Sequence, residues 1–172
     1  MGETMRFDDL GDVTAYICVP LTLFVSYRFV LPWLSGWSRA YYLFLMAWSA
    51  PYIIGNVCDV NKIGSRWTQW HLLDVSYEPW AMTLGATIYV LVMQVARRAY
   101  TQRSIMICSV ISLPVFAIMA YGYEVRQSWQ AWQVYGSTID WSDYIAYAVG
   151  STIAVIPFIA FRQLRLLSAQ PS

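Results

Sequence analysis

Residues 144–161 read YIAYAVGSTIAVIPFIAF, a run without a charged side chain. A helix rises about 1.5 Å per residue and needs roughly 20 residues to cross about 30 Å of hydrocarbon, and this run is close to that length. Its apolarity is continuous rather than alternating, which argues against a strand of a membrane β-barrel. Just ahead of it stand Asp140 and Asp143, three apart in STIDWSDYIAYAVGS (137–151). Acids end apolar segments because hydrocarbon does not solvate them. They could equally be half of a working site whose other half lies elsewhere in the chain.

Four more stretches behave like 144–161, namely 15–34, 40–57, 80–96 and 105–123, and Arg28 is the sole charge within the five. Of the 172 residues 58% are hydrophobic and 12% charged, against about 25% charged in an ordinary soluble domain. Mean hydropathy is +0.44. Nine Trp and thirteen Tyr suit the lipid–water interface, where amphipathic rings collect. The expected fold is therefore all-α, one polytopic membrane domain of five transmembrane helices with the lipid bilayer as its first partner. A net charge of +1 gives no reason to expect nucleic acid. The opening MGETMRFDDLGDVT is acidic and lacks the short apolar core of a secretory signal. No tandem repeat, P-loop, nucleophile elbow, HExxH or dinucleotide fingerprint is present.

Charge placement orients the chain. Five crossings put the N-terminus and the 58–79 and 124–143 loops on one side; the 35–39 turn, the 97–104 loop and the C-terminus lie on the other. The second side holds Arg39, Arg97, Arg98, Arg103, Arg162 and Arg165, and Arg28 can snorkel to it. The first holds Arg6, Lys62, Arg66 and Arg126. Short basic loops resist translocation, so the expected orientation in the cell membrane is N-terminus out, C-terminus in. All ten acids fall on the outer side, and the polar chemistry is expected there.

In the outer loop 58–79, Trp67, Trp70, His71 and Asp74 recur at three-and-four spacing, as on one face of a short helix. The first reading is an interfacial helix with its Trp pair at headgroup depth, and Pro79 then suits the first turn of the next span. A second reading takes His71, Asp74 and Glu78, with Asp59 as a fourth, as metal ligands. A third makes His71, the lone histidine, an axial ligand to a haem- or chlorophyll-type macrocycle. The interfacial reading carries no cofactor, and it is the one preferred. Cys18 and Cys58 lie near outer ends and could pair only if their Cα atoms came within about 7 Å; free thiols are expected. Pro51, Ser112, Pro114 and Pro157 read as kinks.

The second outer loop runs YGYEVRQSWQAWQVYGSTIDWSDYIAYAVG (121–150). Glu124 and Gln127 share a face where the fourth span ends. Asp143, Tyr147 and Gly150 share one where the fifth begins. Consecutive antiparallel helices are commonly neighbours, so the two faces are expected to meet, with Asp143 turned toward Glu124 and Gln127. Asp140 or Ser142 suits the helix cap. Ala146, Gly150 and Ala154 recur at four-residue spacing, which permits close packing.

The pattern Glu124-x-x-Gln127, a loop, then Asp143-x-x-x-Tyr147-x-x-Gly150 resembles the C-terminal half of the VanZ-like family. These are small polytopic membrane proteins named for a member associated with low-level teicoplanin resistance. The family pattern has Asn where Tyr147 stands and an arginine in the loop; here residues 128–142 contain none. Asp59, Lys62 and His71 are the residue types of the family's upstream D-K-x-x-H signature at other spacings. The resemblance covers about 30 residues. It implies an outward-facing polar site, made of Glu124, Gln127, Asp143, Tyr147 and Gly150, for a lipid-linked or peptidoglycan-related envelope ligand. Two other functions stay open. One is a non-catalytic accessory subunit of a larger energy-transducing or pigment-containing membrane complex. The other is an intramembrane enzyme with Glu124 and Asp143 as its acid/base pair, though no nucleophile or metal set accompanies them.

Overall fold

The computed structural model describes residues 14–135 and 141–168, and every regular element among them is helical. Val19–Val25 (α1) is flanked by wider π-helical turns, Thr14–Cys18 and Ser26–Val30, and ends in a 3-10 turn, Leu31–Trp33. Gly36–Ala47 (α2) and Ser49–Asn61 (α3) follow, then Arg66–Val95 (α4), Gln102–Tyr135 (α5) and Trp141–Ser168 (α6). Among the described residues, three stretches are long and apolar enough to cross a membrane: Tyr16–Trp33, Gln102–Gly122 and Trp141–Ala160. The apolar stretch 40–57 is broken in two at Trp48, whose N–H bonds Leu45 rather than continuing the ladder. Pro51, without an N–H to return to Ala47, accounts for the break. Pro114 and Pro157, by contrast, lie inside continuous helices.

The expectation for Pro79 is corrected. Rather than opening a helix, it sits inside α4, which begins at Arg66 and runs 30 residues, about 45 Å. Its start is set by Ser65, whose Oγ accepts from the Thr68 N–H at 3.1 Å. Pro79 leaves the Val75 carbonyl without its helical donor. Gly150 of α6 packs against that same carbonyl, so closely that a Cβ would collide with it.

Helix α4 is the axis of the bundle. At Gly55 of α3 a Cβ would lie 2.6 Å from the Leu73 backbone nitrogen, and at Gly85 of α4 it would run into the Ser112 side chain of α5. Small residues thus dock α3, α5 and α6 onto α4 at three heights. Ala146 and Ala154, the other small residues of the α6 stripe, are also buried. Contacts fall in order along the helices. Gly150 meets Val75, while the Tyr41 hydroxyl donates to the Ala154 carbonyl at 2.8 Å and lies 3.9 Å from Met82 Sδ. Phe116 meets Tyr77, while Ser109 Oγ donates to the Met82 carbonyl at 3.1 Å. Gly55 meets Leu73, while Tyr52 stacks on Trp80. Helices α4 and α6 therefore run parallel, with α2, α3 and α5 antiparallel to them. The 62–65 turn and the start of α6 share one end of the bundle. The 34–35 turn, the 96–101 connection and the end of α6 share the other.

The main core gathers Val30, Tyr41, Tyr42, Leu45, Met82, Val90 and Ile105. It carries a satisfied polar network. Ser26 Oγ lies 2.9 Å from the Tyr42 hydroxyl and 2.7 Å from Thr87 Oγ1, and Thr87 also donates to the Thr83 carbonyl at 2.8 Å. Buried hydroxyls are tolerated in an apolar bundle when paired in this way.

Candidate functional site

At the end of the bundle holding the 62–65 turn, α4 and α6 bring polar side chains together. His71 lies in the second turn of α4, Asp74 three residues on, and Asp143 in the first turn of α6. Residues three apart on a helix share a face, so His71 and Asp74 look the same way, and Asp143 meets them across the helix pair. One ligand atom from each of the three lies within 4.8 Å of the others. His71 Nδ1 is 3.2 Å from Asp143 Oδ1, with side-chain exposures of 11% and 24%. That distance suits an ion pair, while the ring N–H is not aligned for a hydrogen bond. The site is mostly buried yet reachable from its end of the bundle. Trp67, exposed, stands edge-on to His71 with ring centroids 6.4 Å apart.

One turn deeper the polar surface gives way to rings. Tyr77 packs edge-on to Tyr147 and Phe116 at 6.0 and 6.3 Å, and Tyr121 stacks on Tyr144 at 5.5 Å. Tyr147, in the place of the VanZ-like asparagine, is 6% exposed and belongs to this aromatic floor. Glu78 is buried at the same level, 0% exposed, and neither carboxyl oxygen has a hydrogen-bond partner among the described residues. A bare buried carboxylate costs several kcal/mol, so Glu78 is a group whose charge needs a proton or a cation beside it.

Of the residues that the metal reading would take as ligands, His71 and Asp74 are in the cluster. Glu78 is seven residues from His71 on one helix, about 10 Å along the axis, too far to share an ion with bonds near 2 Å. Asp143 stands in its place. Asp59 is held by Lys62 at 2.8 Å on the exposed turn. One imidazole and two carboxylates form a mixed N/O set of the kind that accepts a hard or borderline divalent cation. Without a metal, the same three groups can hold a proton or an ammonium.

Of the residues carried by the VanZ-like resemblance, Asp143 is in this cluster, Tyr147 forms its floor, and Gly150 sets the α4–α6 distance beneath it. Glu124 and Gln127 lie on α5 past Gly122, with side chains outside the described ones, as is that of Trp70. Asp140 lies outside the described residues altogether. The pairing of His71 with Asp143 is what sequence reasoning missed; both were singled out, but in separate loops. Cys18, Cys58 and Cys108 are free thiols. Compared with protein-family models, curated proteins and solved structures, the chain matches none.

Proposed function

We propose that the chain is a VanZ-like protein of the cell membrane with five crossings, N-terminus outside and C-terminus inside. Its outward end holds a polar site that receives a lipid-linked or peptidoglycan-related envelope ligand. The observation that carries this reading is the meeting of His71, Asp74 and Asp143 at one end of an apolar bundle, with Glu78 buried beneath. Ionisable side chains in such surroundings are costly and contribute little to packing, so their presence together points to a ligand. Two carboxylates beside an imidazole favour a cationic or proton-donating group. In this reading α2 and α3 together make the second crossing, and α4 the third. The inner end then carries Arg39, Arg97, Arg98, Arg103 and Arg162, in line with the positive-inside rule.

The reading is tested in a glycopeptide-susceptible Gram-positive host. Expression of the chain should raise the teicoplanin concentration that arrests growth. His71→Gln, Asp143→Asn and Glu124→Gln should each abolish that gain at unchanged membrane abundance, and Asp140→Asn should keep it. A wild-type chain abundant in the membrane with no effect on susceptibility removes the VanZ-like reading.

A further inference from the structure

The opposite end of the bundle holds a furrow of about 840 Å³ between the start of α2, the first turns of α5 and the last turns of α6. That is near the upper end of the roughly 300–1,000 Å³ of pockets for small molecules. Its lining follows one pattern on both long helices. On α5, Arg103 is followed at four-residue steps by Ile107 and Ile111; on α6, Phe158 precedes Arg162 by four. Four residues are about 6 Å of helix. Since the two helices are antiparallel, both guanidinium groups come to the same end of the furrow and both apolar stripes run inward from it. Arg103 is the second residue of the apolar stretch Gln102–Gly122, and Arg162 lies just past Trp141–Ala160. The charges thus sit at the ends of the two apolar stretches. Ile107 and Ile111 remain 46% and 57% exposed, so the furrow opens sideways toward lipid.

The charge has no counter-ion among the described residues. Neither arginine has an acidic partner there, and the acids among those residues, Asp59, Asp74, Glu78 and Asp143, lie on the far half of the bundle. Trp37, which also lines the furrow, has its indole N–H buried with no acceptor among the described residues. The polar rim is built in advance. Gln102 Oε1 accepts from the Ser35 N–H at 3.1 Å, and its Nε2 donates to Ser38 Oγ at 2.9 Å, fixing the start of α5 to the turn before α2.

We propose that this furrow is a binding site for an anionic phospholipid. The phosphate lies against Arg103 and Arg162, and an acyl chain lies along Ile107, Ile111 and Phe158. Basic pockets between membrane helices recognise lipid phosphates in this way, and a zwitterionic headgroup leaves the two positive charges uncompensated. The site is at the far end of the molecule from His71 and Asp143 and does not depend on what they bind.

The test is native mass spectrometry of the full chain released from nanodiscs of equal parts phosphatidylglycerol and phosphatidylcholine. Wild type should retain phosphatidylglycerol in preference. Arg103→Gln and Arg162→Gln should each cut the preference about five-fold, and together about thirty-fold. The Arg103→Lys, Arg162→Lys pair should keep most of it. Ile107→Trp, which fills the furrow and leaves the charges, should displace the retained lipid. Equal retention of both lipids by wild type, or an unchanged preference in the glutamine pair, overturns the proposal. The lysine pair keeps both charges, so a loss of preference there as well would show that charge does not set the preference and does the same. Displacement of the lipid by millimolar inorganic phosphate would mark a site for free anions, which also refutes it.

Discussion

Gly150→Ala tests the close approach on which the polar site rests. The added methyl would collide with the Val75 carbonyl oxygen, a backbone atom within α4 that cannot rotate aside. Restoring an ordinary contact near 3.5 Å requires α4 and α6 to part by on the order of 1 Å. Overpacking of this kind costs about 1–3 kcal/mol. Alanine also gains about 1 kcal/mol over glycine in a helix interior, which would mask part of the loss. Gly122→Ala in α5 removes that ambiguity, since a Cβ there meets nothing within 4 Å and the variant takes the propensity gain alone. The stability difference between the two variants is therefore the packing term, about 1–3 kcal/mol. At roughly 2–4 °C per kcal/mol for a chain of this size, Gly150→Ala should melt several degrees below Gly122→Ala. Tryptophan fluorescence of the detergent-solubilised protein reads this directly. Equal melting of the two variants would show that Gly150 does not set the α4–α6 distance, and the placement of Asp143 against His71 would lose its support.

Three other outcomes follow from the same contacts. A double-mutant cycle of His71→Gln and Asp143→Asn should return a coupling of about 0.5–3 kcal/mol in unfolding free energy; strict additivity would mean the 3.2 Å pair contributes nothing. Tyr42→Phe should lower stability by about 0.5–1.5 kcal/mol in denaturant titration, since Ser26 and Thr87 keep each other as partners; a neutral result would remove the network's role. In a chain lacking Cys18, Cys58 and Cys108, a single cysteine at position 101 should react with an impermeant thiol reagent only after the membrane is opened. One at position 137 should react from outside, and reactivity of both from the same side refutes five crossings.

Much of the architecture is set by local chemistry, and so it was legible in the sequence. Uncharged runs of about twenty residues must be helices in hydrocarbon because their backbone groups have no other partners. The segregation of arginines from acids suggested an orientation, which the folded chain by itself does not test. The four-residue stripe of Ala146, Gly150 and Ala154 was readable as a packing face because helical periodicity brings those positions together.

What the sequence does not determine is which polar residues face one another. Residues 66–79 look amphipathic, and an interfacial helix has the same pattern as the end of a central helix surrounded by neighbours. Only packing shows that Asp74, Ser76 and Glu78 are buried. Pro79 ordinarily marks a helix start because it lacks an N–H. Here the carbonyl it leaves unpaired is the one Gly150 of a distant helix covers, so the continuity of α4 depends on α6. The same contact brings the first turn of α6 alongside the second turn of α4 and so joins Asp143 to His71. Spacing along one helix is a local property that residue order encodes. The distance between two helices depends on the atoms that touch where they cross, and tertiary structure alone decides it.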